Sequence, residues 1–270
     1  MTRRDFVTTT LGAGTALAVA PLSVAAEGPQ AGAPAREFYE LRRYTLRRGP
    51  ATALVNTYLE QALLPACQRA GTGPVGVFNV SIGPNSPTTY VLIPHRAADG
   101  FARFPEQLMA DAAYQAAGKA YLETPATSPA FVRVETSLMR AFSSIPRLEL
   151  PFGGGEAGRR SRLFEMRIYE SHSEKAALKK IEMFNTGEIA IFRKAGLMPV
   201  FFGETIVGPS MPNLTYMLVY EDMAARDKYW TAFQGLPEWK ALASTPGFTD
   251  PEIVSSITNM YLRPAAFSQI

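Results

Sequence analysis

Apolar and polar positions alternate along two short stretches, "FYELRRYTL" at 38–46 and "LFEMRIYE" at 163–170, and this period of two predicts a strand at each. A helical period follows both. Pro50 suits the first turn of the first helix, and Ser171 with Glu174 has the spacing of a capping box for the second. In the second helix Leu178, Ile181, Met183, Phe184, Ile189 and Phe192 recur near helical spacing, and Gly196 marks its end. Two β-rich stretches come next: "VGVFNVSI" and "TTYVLI" in the first half, "PVFFGETIV" and "LTYMLVY" in the second. Each pair is joined by a Gly-Pro turn. Another helix, about 98–120 or about 222–244, precedes a last strand ending at Met139-Arg140 or Leu262-Arg263. The order strand-helix-strand-strand-helix-strand is the ferredoxin-like plan.

That plan is written twice. The pentad Glu40-Leu41-Arg42-Arg43-Tyr44 returns 125 residues later as Glu165-Met166-Arg167-Ile168-Tyr169. Ala70-Gly71 meets Ala195-Gly196 at the same offset, and Thr89-Tyr90-Val91-Leu92 meets Thr215-Tyr216-Met217-Leu218 at an offset of 126. Two domains are therefore expected, 37–142 and 163–267, joined by a Gly-rich linker over 143–162. A single ferredoxin-like unit packs both helices on one face of its sheet and leaves the other face bare. Two units in one chain can press their bare faces together, so the expected fold is α+β, an intrachain pseudo-dimeric α/β barrel.

Side chains alternate along a strand, so Glu165, Arg167 and Tyr169 share one face and Phe164, Met166 and Ile168 the other. With the apolar trio assigned to the helices, the Glu-Arg-Tyr trio is expected to point into the barrel. Glu40, Arg42 and Tyr44 are expected to do the same, while Arg43 sits near a strand edge where its head reaches water. Buried Glu and Arg cost several kcal/mol each unless paired, and positions i and i+2 let them pair directly, with a Tyr hydroxyl completing the bonding. Such trios either hold the sheets in register or line a small pocket.

Composition narrows the chemistry. Of 270 residues 47% are apolar and 19% charged, as in a protein with a real core, and a scattered net charge of +3 does not recommend nucleic acid. A lone Cys67 and two histidines, His95 and His172, leave no four-ligand zinc set and only lone loop histidines for haem, so no metal or other cofactor is expected. "GTGPVG" at 71–76 introduces a strand rather than a helix, so it does not suit a phosphate cradle, and no G-x-S-x-G elbow occurs. The aromatics of "DKYWTAFQGLPEW" fall near helical spacing and suit core packing, with Trp239 a candidate cover for the barrel mouth. Residues 1–26 carry Arg3-Arg4, an uncharged run too short and too rich in small residues to span a membrane, and Ala25-Ala26 before Glu27. This is the pattern of a twin-arginine signal peptide, from which a periplasmic or secreted bacterial protein starting near Glu27 with a net charge of +2 is expected.

These features resemble the NIPSNAP family, whose marks are an E-L-R-x-Y opening strand, a helix ending in a small or Gly-containing turn, and a distal Arg, Trp and Pro-Glu-Trp group. The second half has them all, with Ala195-Gly196, Arg226, Trp230 and Pro237-Glu238-Trp239; the first has Phe101 and Tyr114 in place of Arg226 and Trp239. The resemblance implies a dimeric α/β-barrel fold and transfers no catalytic residue. Two functions then compete: a non-catalytic barrel binding a small apolar molecule or another protein, with further homo-oligomerisation open to it, and a cofactor-independent oxygenase of quinol-like aromatics; a haem-binding protein, with His95 or His172 as ligand, ranks behind both. The second would use Tyr44, Tyr169, Arg42 or Arg167 to hold a phenolate. The candidate pocket-lining residues are Glu40, Arg42, Tyr44, Glu165, Arg167, Tyr169 and Trp239.

Overall fold

The computed structural model describes residues 35–150 and 162–270; the predicted signal segment and residues 151–161 of the predicted linker lie outside them. The alternating stretches form strands as expected: β1 (Phe38–Thr45), β2 (Gly76–Ile82), β3 (Thr88–His95) and β4 (Arg133–Ala141) in the first repeat, and β5 (Leu163–Glu170), β6 (Met198–Val207), β7 (Asn213–Tyr220) and β8 (Ser256–Pro264) in the second. They close into an eight-stranded barrel in the order β1-β3-β2-β8-β5-β7-β6-β4. The seams between repeats are the antiparallel pairs β2–β8 and β4–β6. Closure pairs both edges of every described strand.

The helices follow the same doubled plan, with α1 (Pro50–Tyr58) and α2 (Leu64–Arg69) answered by α5 (Glu174–Met183) and α6 (Ile189–Lys194). A π-helical turn interrupts each pair, at Leu59–Leu63 and Phe184–Glu188, 125 residues apart. Periodicity gave no hint of either. Pro50 opens α1 as expected, but α5 is capped by Ser173, whose Oγ accepts from Ala176 N at 3.2 Å. Ser171, predicted as the cap, instead donates to Ile253 O at 2.7 Å. The second predicted helix of each repeat is broken in two: α3 (Ala98–Ala110) from α4 (Ala112–Leu122) at Asp111, which caps α4, and α7 (Met223–Gly235) from α8 (Pro237–Ala243) before Pro237. A short α9 (Asp250–Ile253) precedes β8. Gly196 follows α6 with φ +89°, in the left-handed region where glycine is the cheapest helix stop.

Strand pairing corrects one alignment. Val91 pairs with Arg42 and Tyr216 with Arg167, so β3 and β7 correspond at 125, not at the 126 that their Thr-Tyr sequences suggest. His95 therefore occupies the place of Tyr220.

It also corrects the assignment of faces. The barrel interior is filled by Tyr39, Leu41, Leu92, Met139, Phe164, Met166, Phe201, Met217, Met260 and Leu262. Leu148 and Leu150, in the described part of the predicted linker, pack against this core beside the start of β1, where Leu148 N donates to Glu37 Oε2. The Glu-Arg-Tyr trios lie on the opposite face, under the helices of their own repeats, with Tyr44 in the first helix-side core and Tyr169 in the second. Alternation stated correctly which residues share a face; the assumption that the helix-covered face must be the apolar one was wrong. Helices can bring their own ions and donors to a buried carboxylate, whereas an eight-stranded barrel has room for little but side chains.

Candidate functional site

Two places in the fold combine polar chemistry with burial: the layer between sheet and helices in the second repeat, and the open end of the barrel.

In the second repeat Glu165 is fully buried and accepts from six donors. Oε1 receives Arg167 Nη1 at 3.0 Å, Arg226 Nη2 at 3.1 Å and Asn259 Nδ2 at 2.8 Å. Oε2 receives Tyr220 Oη at 2.9 Å, Trp230 Nε1 at 3.0 Å and Arg226 Nε at 3.2 Å. Burial alone would raise the Glu165 carboxyl, but Arg226 and Arg167 hold it below its ordinary value. Arg167 Nη2 also donates to the Tyr169 hydroxyl at 3.0 Å, and that hydroxyl meets Tyr216 Oη at 3.1 Å. Both guanidiniums lie over the Trp230 ring, Arg167 at 4.8 Å and Arg226 at 5.4 Å from its centroid. Nearby, Lys180 donates to Glu188 Oε2 at 3.1 Å in the π turn and covers the Phe184 ring. Burial pushes the Glu188 carboxyl up, with Lys180 opposing it.

The corresponding network in the first repeat is smaller. Glu40 accepts from Arg42 and pairs with His95 Nε2 at 2.9 Å, and Arg42 lies over Phe104. His95, expected in a loop, is the last residue of β3 and is buried. Burial again raises the Glu40 carboxyl, but His95 and Arg42 lower it further. At the offset of 125, Val55 and Leu63 stand where the second repeat has Lys180 and Glu188, and both are fully buried. Of the expected pocket-lining residues, none of the six in the trios faces the barrel interior. Trp239 does not cover the mouth either: it packs 4.3 Å from Phe233 in the helix layer. Cys67 is buried in the first helix-side core, where burial pushes its thiol up to about 12.

The barrel interior opens at the end where β1 and β5 finish, as a cavity of about 350 Å³. Leu41, Ile168 and Met260 form its apolar floor, with the Tyr90 ring beside them. Ser137, Thr215 and Thr258 add hydroxyls, and the turns after β2 and β6 supply Pro84, Pro209 and Ser210 to the rim. Asn213 fixes the second of these turns by donating to Pro209 O and Ser210 O, both at 2.9 Å. The charged groups on the wall are Arg43, Glu135 and Glu170. Arg43, expected at an edge reaching water, lies in this mouth, bonded to Glu135 and close to the Tyr90 hydroxyl. Sequence reasoning missed Glu135 and Glu170 because nothing in one strand's pattern shows that β4 begins and β5 ends at the same opening. Among the described residues no three His, Cys, Asp or Glu side chains gather as a metal-holding group, and no helix is long and apolar enough to cross a membrane.

Comparison with known proteins now bears on this arrangement. The NIPSNAP family model matches residues 39–143 and again 164–269, most of the chain. The chain belongs to the NIPSNAP family. No curated protein matches it. A NIPSNAP-like domain protein from Burkholderia xenovorans is 22% identical over 40% of this chain and 90% of its own, with a TM-score of 0.37. A protein from Lactobacillus acidophilus assigned as a monooxygenase spans 85% of this chain and 94% of its own at 9% identity, TM-score 0.54. An anthrone oxidase-like protein spans 85% and 92% at 10% identity, TM-score 0.50. At such identities these two share with this NIPSNAP protein a fold.

Proposed function

We propose that this tandem NIPSNAP protein binds a small, largely apolar molecule in the open end of its barrel. The observation that carries the reading is the cavity of about 350 Å³, in which Leu41, Ile168 and Met260 share the wall with the Ser137, Thr215 and Thr258 hydroxyls and the charged groups stand at the outer end, a make-up that suits a small-molecule site. The oxygenase reading rested on Arg42, Arg167, Tyr44 and Tyr169, and these groups are held by partners under the helices rather than lining the cavity. The binding reading is therefore preferred. Titration with 4-phenylbutanol, followed by calorimetry, is expected to show saturable one-to-one binding. Thr258→Phe, which fills the cavity from β8, should weaken it at least tenfold with little change in melting temperature. Equal binding by this variant would remove the cavity from the account.

Export belongs to the same proposal: residues 1–26 direct the chain across the inner membrane and are removed. Protein recovered from the host's periplasm or medium should begin near Glu27 by N-terminal sequencing. A folded, cytoplasmic chain that keeps these residues would contradict it.

A further inference from the structure

The charges on the cavity wall do not cancel. Arg43 and Glu135 face each other and neutralise one another. Glu170, the last residue of β5, shares the inward face of Phe164, Met166 and Ile168 and lines the same cavity. Among the described residues its side chain has no ion-pair partner and no hydrogen bond, although it is half-buried. A carboxylate left on the wall of a partly dehydrated cavity is a place where a cation gains more than it would in water, because the local dielectric is lower and the field converges.

Resting on the binding reading above, we propose that the ligand is an organic cation: an apolar body that lies on Leu41, Ile168 and Met260, with an ammonium group that meets Glu170. The hydroxyls of Thr215 and Thr258 offer acceptors for its remaining N–H groups. An anion of the same shape is disfavoured. It would face Glu170 directly, and the one guanidinium on the wall is already held by Glu135. The quinol-like phenolate of the oxygenase reading is an anion of this kind, so the same charge balance argues against it.

The test uses three probes with one body: 4-phenylbutylamine, 4-phenylbutanol and 4-phenylbutyrate, each titrated calorimetrically at neutral pH into the full chain. The amine is expected to bind about tenfold more tightly than the alcohol, equivalent to about 1.4 kcal/mol, and the carboxylate more weakly than either. In Glu170→Gln, which keeps the shape of the side chain, the amine should fall to the affinity of the alcohol while the alcohol is unchanged. If amine and alcohol bind equally to the wild type, or the amine's advantage survives Glu170→Gln, the cation inference is overturned and the apolar-binding reading stands. If none of the three binds, the binding reading itself fails. Salt provides a second readout. Raising ionic strength should weaken the amine and leave the alcohol alone.

Discussion

Replacing Glu165 by alanine is expected to cost about 3–5 kcal/mol of stability, because it leaves a buried charge cluster without its anion. Arg167 and Arg226 would face each other over Trp230 with nothing between them, and the Trp230 Nε1 and Tyr220 hydroxyl would lose their acceptor. Urea unfolding reads the effect as a lower midpoint with an unchanged slope. Glu40→Ala should cost less. Its partners are Arg42 and His95, and both keep contact with the Phe104 ring. The sign of the pH dependence separates charge from packing. The folded Glu165 carboxyl lies below its ordinary value, so its contribution is present above the unfolded value of about 4.3 and is lost as pH falls through the folded value. The gap between wild type and Glu165→Ala should accordingly shrink in acid. A gap that is constant from neutral pH to about pH 3 would mean that the side chain acts through volume alone.

The second large effect concerns Lys180 and Glu188. Lys180→Val alone leaves Glu188 buried without its cation and is expected to cost about 3–5 kcal/mol, while Glu188→Leu alone leaves the buried ammonium only the more distant Asp250 carboxylate at 3.6 Å and is expected to cost somewhat less. The double variant writes into the second repeat the Val55 and Leu63 of the first, which that repeat buries completely at the equivalent places. It is expected to be near neutral, because the desolvation of two ions offsets most of what their pairing contributes. A double-mutant cycle measured by chemical denaturation gives the coupling directly. If the two losses simply add, the residues do not act as a pair. The comparison also shows where the two repeats differ: at matched positions the second carries Lys180, Glu188, Tyr220, Arg226 and Trp230 against Val55, Leu63, His95, Phe101 and Pro105. The polar network under its helices is a departure from symmetry superimposed on a symmetric scaffold.

Local pattern carried the architecture a long way. The period-two stretches became strands, the doubled pentad became two equivalent β-strands, and the bare sheet faces met as a closed barrel. What local pattern could not carry was the partner of each side chain. Glu165 meets Asn259 from β8, Tyr220 from β7, and Arg226 and Trp230 from α7, and all of these arrive by strand pairing and helix packing across 55 to 94 residues of sequence. With those partners unknown, a buried Glu-Arg pair looked like barrel lining. Arg226 and Trp230 were visible as family marks, and they were the signal that could have reversed the faces: two donors on one helix at i and i+4 need an acceptor beneath them. The cavity was harder to see. Arg43, Glu135 and Glu170 come from three strands, and their meeting depends on the order in which the barrel closes.

The most direct test of the account is a crystal structure of the full chain equilibrated with 4-phenylbutylamine. Difference density is predicted inside the barrel, with the phenyl ring on Leu41, Ile168 and Met260 and the amine within hydrogen-bond distance of Glu170. Density seated instead between sheet and helices beside Arg167 and Trp230, with the barrel end filled by its own side chains, would contradict it.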